Sequence, residues 1–79
     1  MEKVELELTC MNDGVSLASE RGTNAKWTKF SLVNKTKKVD ELETNEFADI
    51  SGRIMGDSEI IKPGKKYKVT IEEIEEIVT

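Results

Sequence analysis

The chain has 79 residues, a net charge of −4, one cysteine and no histidine. A length of this order supports one domain around one core and buries only about 60% of the surface its unfolded form exposes. The missing histidines exclude Ser-His-Asp and Cys-His nucleophilic sites and Cys/His zinc sites, and a lone thiol can form neither an intramolecular disulfide nor a thiolate cluster.

These exclusions set the first expectations: a single small β domain over 1–79 that is not an enzyme and carries no metal or cofactor. Small secreted domains usually carry several disulfides, so one cysteine points to a reducing cytoplasm. The opening residues, Met1 to Glu5, show no apolar run of the secretory kind. No stretch approaches the ~20 apolar residues of a membrane span, so no membrane partner is expected. Pairing with a second copy would bury more surface, which makes a homo-oligomer compatible with the size.

In chain order, Val4, Leu6, Leu8 and Cys10 alternate with Glu5, Glu7 and Thr9. A period of two marks a half-buried strand with one wet face. Cys10 falls on the apolar side and reads as a small buried hydrophobe. Asn12-Asp13-Gly14 follows as a turn signal, because all three residue types tolerate positive φ. Val15 and Leu17 resume the alternation, so 3–19 reads as a β-hairpin. Residues 20–25 are polar, contain Gly22 and read as an exposed loop. Lys26 to Asn34, with Trp27, Thr28, Phe30, Leu32 and Val33, favours a strand. The alternation slips between Trp27 and Phe30, which predicts a bulge near Thr28–Lys29.

Residues 35–46 are highly charged. Asp40 to Glu46 fits one short helical turn with Val39 and Leu42 packed inward; a loop folded over the barrel end fits equally. Phe47 to Met55 reads as a strand with Ala48, Ile50, Gly52 and Ile54 on one face, Gly52 marking a bend or a close approach. Gly56-Asp57-Ser58 and Pro63-Gly64 are turns flanking the short apolar pair Ile60-Ile61. Tyr67, Val69 and Ile71 alternate against Lys66, Lys68 and Thr70 in a last strand. The tail 72–79 fits a helix face through Ile71, Ile74 and Val78, or a strand bulged at Glu72-Glu73. The whole is mostly β, and a five-stranded OB-like Greek-key barrel is the expected architecture, with a compact two-sheet sandwich as the alternative.

Charge is unevenly spread. Arg21, Lys26, Lys29, Lys35, Lys37 and Lys38 lie in a segment with no acid, and Lys62, Lys65, Lys66 and Lys68 form a second basic group. Asp40, Glu41, Glu43, Glu46 and Asp49 lie between them, and Glu72, Glu73, Glu75 and Glu76 follow. Lys26 and Lys29 flank Trp27 and Phe30, a pattern in which a base stacks on a ring while lysines hold the phosphates. The plainer reading puts both aromatics in the core and the lysines in solvent, and the negative net charge favours it. The acidic groups suit a protein interface that steers a basic partner, or solubility and protection of strand edges.

Catalytic carboxylates need burial and a cleft, and neither is encoded around Glu5, Glu7 or the terminal glutamates. Asp13, Asp49 and Asp57 lack a metal-ligand spacing, and Gly56-Asp57-Ser58-Glu59 is not a calcium loop. Pro63-Gly64-Lys65-Lys66 is two glycines short of a phosphate loop.

Two segments, Ile61-Lys62-Pro63-Gly64-Lys65-Lys66-Tyr67-Lys68-Val69-Thr70-Ile71 and Ala25-Lys26-Trp27-Thr28-Lys29-Phe30, resemble the closing hairpin and a mid-chain segment of small phage-encoded β proteins. The resemblance covers about a third of the chain, and its motifs are structural. It implies a β fold and, as in some proteins of that kind, inhibition of host defence by covering a protein surface or sequestering a nucleotide signal. The glutamate-rich tail departs from the pattern.

The sequence therefore predicts a non-catalytic interaction protein that binds another protein through charged patches. Its alternatives are an OB-like binder of single-stranded nucleic acid or a small nucleotide, and a subunit of a homo-oligomeric assembly. The candidate binding residues are Lys26, Trp27, Lys29, Lys35, Lys37, Lys38, Asp40, Glu41 and Glu43.

Overall fold

A computed structural model describes residues 3–76. The elements are β1 (Lys3–Ser19), β2 (Lys26–Val33), a 3₁₀ turn (Val39–Glu41), β3 (Asp49–Met55) and β4 (Lys66–Glu72). All pairings are antiparallel, and the four strands form one sheet in the order β3-β2-β1-β4. Three consecutive strands with a fourth returning beside the first is the Greek-key order. The sheet curls into a half-barrel and does not close, so the expected five-stranded barrel and the two-sheet sandwich are both corrected to one open sheet. No fifth strand forms among the described residues: Ile60-Ile61 lies in the β3–β4 connection, and 73–76 are irregular. The two conformations expected for the tail are thus absent up to residue 76, and 77–79 lie outside the described residues.

The alternation of β1 carries the core. Leu6, Leu8 and Cys10 are buried, joined by Leu32 of β2, and Leu8 is 0% exposed. Leu6 stands opposite Val69 and Leu8 opposite Tyr67, so one face of the β1–β4 ladder is apolar. On the other face Glu5 and Glu7 meet Lys68 and Lys66 in ion pairs of 3.5 and 3.6 Å. A radius of gyration of 15.3 Å and a thickness of 19 Å describe a thin slab, against roughly 12 Å expected of a globular chain this long. The core is one layer deep.

The hairpin expected over 3–19 does not form. Strand β1 runs through Asn12-Asp13-Gly14 as a wide bulge, and Met11 to Gly14 stand against Ser31 alone, between the pairs Cys10–Leu32 and Val15–Phe30. None of Asn12, Asp13 and Gly14 takes the positive φ that a two-residue hairpin turn needs. Long-range pairing wins over the local signal, because β4 takes one edge of residues 3–9 and β2 takes the other edge of residues 15–19. Gly14 serves close packing instead: a Cβ there would lie 2.9 Å from Met11 Cβ and 3.0 Å from the Ser31 carbonyl.

The bulge expected near Thr28–Lys29 is also absent. The β2–β3 register is unbroken from Trp27–Met55 to Val33–Asp49. The apparent slip arises because Trp27 belongs to the outer face, while Thr28, Phe30 and Leu32 line the inner one. The Phe30 ring lies 3.0 Å from where a Cβ of Gly52 would stand, which is the close approach at that glycine. The helical turn is a 3₁₀ turn at Val39–Glu41, slightly earlier than 40–46.

The return connection 56–65 is fastened by two side chains. Buried Thr28 donates its hydroxyl to the Gly56 carbonyl (2.7 Å) and accepts the Ser58 N–H (2.8 Å). The Tyr67 hydroxyl accepts the Lys62 N–H (2.6 Å) and donates to the Ile60 carbonyl (3.0 Å). Gly64, at φ 77°, completes the Pro63-Gly64 turn and donates its N–H to Cys10 O. Replacing Thr28 by valine keeps the shape and strands two polar groups, so Thr28→Val should lower stability by about 1–3 kcal/mol. Urea unfolding followed by circular dichroism checks this, as a lower midpoint at unchanged slope.

Candidate functional site

The structure distributes the nine candidate residues over three regions. Trp27 and Lys29 project from the outer face of β2. Lys26 lies on the opposite face of the strand, across from Ser19. Lys35 lines an open depression of about 530 Å³ beside the β1 bulge, with Asn12, Asp13 and Gly64. Lys37, Lys38, Asp40, Glu41 and Glu43 belong to the connection 34–48 between β2 and β3.

On the outer face, β3 adds a residue that sequence reasoning did not select. Arg53 stands directly across from Lys29, and its guanidinium sits 4.3 Å from the centre of the Trp27 ring. This cation–π contact is worth about 0.5–1 kcal/mol at an exposed position. Trp27 is half-buried between Ala18 and Met55, and its Nε1–H is shielded from solvent without an acceptor among the described residues. Neither Lys29 nor Arg53 has an acidic partner within ion-pair distance among the described residues. Only the register shows that Arg53 joins Trp27 and Lys29; nothing in the local sequence around Gly52 signals it.

The connection 34–48 is ordered by polar bonds more than by burial. The Asn34 side chain accepts the Thr36 and Lys37 N–H groups (3.0 and 3.1 Å) and donates to the Phe47 carbonyl (3.2 Å). Lys37 Nζ reaches both oxygens of Glu46 at 2.8 and 3.0 Å, and Glu46 accepts the Glu43 N–H at 2.9 Å. Glu46 is the second residue missed, since its place in the acidic run says nothing about its turning inward. Its carboxyl is held below the usual range by the hydrogen bond from Lys37 and then by the Glu43 N–H. Lys37 is raised, first by that same hydrogen bond. Glu46 and Lys37 thus neutralise each other, while Asp40, Glu41 and Glu43 stay exposed and Val39 is 77% exposed.

Elsewhere, Lys66 and Lys68 of the second basic group are paired with Glu7 and Glu5. Burial pushes the Cys10 thiol up, away from the reactive thiolate. Among the described residues, no three acidic or thiol side chains converge as a metal-ligand group, and no helix is long and apolar enough to cross a membrane.

The Lys37–Glu46 bond has a definite pH window. A lowered carboxyl pKa contributes stability above the ordinary carboxylate range, lost as pH falls through the lowered value. A raised amine pKa contributes below the ordinary lysine value, lost as pH rises through the raised one. The brace therefore holds across neutral pH and loosens at both extremes. In an NMR titration the Glu43 amide should move in acid as Glu46 protonates, and Glu46→Gln should flatten that response.

No protein-family model, no curated protein and no solved structure matches the chain.

Proposed function

We propose that the protein is a non-catalytic interaction module that captures another protein through the acidic face of the 34–48 connection. The supporting observation is the order of that connection. Connections of about 15 residues are uncommon in small domains and, where ordered, tend to carry function. This one gains its order from Asn34, Lys37 and Glu46, and it holds Val39, Asp40, Glu41 and Glu43 in solvent. An exposed aliphatic side chain among exposed carboxylates suits a basic protein surface with an apolar recess, where opposite charge speeds encounter and fixes orientation. Together with the local resemblance to phage-encoded β proteins, the reading extends to an inhibitor that covers a host protein.

The test is affinity capture by the immobilised protein from extracts, compared with Asp40→Lys/Glu41→Lys/Glu43→Lys, which leaves the Lys37–Glu46 brace in place. The triple variant should lose its captured set by about ten-fold or more, and salt should weaken capture by the parent. Equal capture by both proteins would refute the acidic interface.

A second reading, a binder of single-stranded nucleic acid or a nucleotide on the outer face, draws on the Trp27–Lys29–Arg53 cluster. Arg53 already occupies one face of the ring, so a base must displace it to stack there. An oligonucleotide should then quench Trp27 emission in a manner that fades with salt. Unchanged emission removes this reading.

A further inference from the structure

The outer edge of β3 is open: among the described residues β3 pairs with β2 alone. The pattern of its ladder bonds follows from the two ends. Gly56 donates to the Lys26 carbonyl and Asn34 to the Ala48 carbonyl, both at 2.8 Å. Bonded pairs recur at every second residue of an antiparallel ladder. Even-numbered residues of β3 therefore bond to β2, and the N–H and C=O groups of Asp49, Ser51, Arg53 and Met55 point away from the sheet.

Natural sheets guard such an edge with lysines, proline, a bulge or a very short strand. The β4 edge has Lys66 and Lys68, with Pro63 just before the strand. Strand β3 has no lysine and no proline, keeps an unbroken register and spans seven residues. It carries one charge of each sign, Asp49 and Arg53, placed symmetrically about Ser51 and both without an ion-pair partner among the described residues.

We propose that two copies of the chain pair antiparallel through β3 about a two-fold axis at Ser51, giving one continuous eight-stranded sheet. In this register Asp49 of each copy stands opposite Arg53 of the other, and Ser51 faces its own counterpart. All three are residues whose backbone groups are free, so the exchanged N–H···O=C bonds fall in place. Opposite charges directly across a ladder attract and like charges repel. Arg53, which has Lys29 across from it on one side, gains a carboxylate on the other. The register centred on Gly52 also matches the free groups, but it sets Arg53 against Ser51 and Asp49 against Met55 and gains no direct charge pair. This assembly is independent of what the acidic connection binds.

Sedimentation analysis of the full chain from micromolar to millimolar concentration tests it. A reversible species of twice the 8.9 kDa chain mass is expected. Asp49→Arg and Arg53→Asp each place like charges opposite one another twice, and each should weaken dimerisation by about ten-fold or more. The double variant Asp49→Arg/Arg53→Asp should restore it, and an equimolar mixture of the two single variants should form the heterodimer. The double variant shares the lost Trp27 contact with Arg53→Asp, so its recovery separates charge pairing from that loss. Ser51→Cys, a mild change in an exposed side chain, should cross-link the two copies on oxidation, because bonded pairs hold Cα atoms about 5.5 Å apart, within disulfide reach. A monomer throughout the range, a dimer undiminished in both single variants, or mixing that restores nothing would overturn the proposal.

Discussion

Strand β1 serves two partners along one continuous backbone, and the rest of the molecule depends on that division. Its first half is zipped to β4 and its second half to β2, with Thr9 and Cys10 placed where both ladders reach. The change of partner needs a bend, and the bulge at Met11 to Gly14 supplies it. A bulge raises local twist and turns the strand, so the sheet curls rather than lying flat. The same bend brings Cys10, Leu8 and Leu6 beneath Leu32.

A single curled layer encloses little. The inner face is completed by chain that is not sheet, chiefly the 56–65 connection held by Thr28, Tyr67 and Gly64. The Thr28 and Gly64 bonds are long-range, and those of Thr28 are half-buried, where an unmade partner costs the desolvation of the group; the Tyr67 bonds are local and exposed. The molecule thus relies on a few directed polar contacts where a larger domain would rely on depth of packing.

The charges that dominate the sequence are put to three uses. On the β1–β4 outer face they pair with each other. In the 34–48 connection one pair turns inward and braces the loop that displays the remaining acids. Along β3, at the open edge, Asp49 and Arg53 have no ion-pair partner among the described residues. The first arrangement suits solubility; the other two leave charge available for a second molecule, and both interaction readings begin there.

The period-two alternation of Val4 to Cys10 and Tyr67 to Ile71 determined two strands and their buried faces, because residue type alone decides which side of a half-buried strand enters the core. The turn at Pro63-Gly64 was equally legible, since proline and glycine impose their own φ. So were the acidic and basic segments as stretches of charge, whereas the shared face of Trp27 and Lys29 emerged only with the unbroken β2–β3 register, because the slip in alternation had suggested a bulge between them. Tertiary structure decided what lay beyond one strand. Asn12-Asp13-Gly14 carries the local chemistry of a turn, yet becomes a bulge because two distant strands compete for the edges a hairpin would have used. Arg53 meets Trp27, and Glu46 meets Lys37, only once β2–β3 pairing sets the register. Barrel closure failed as an expectation for the same reason: the number of strands that join is set by which edges find partners, and edge pairing is a property of the folded backbone rather than of any local run of residues.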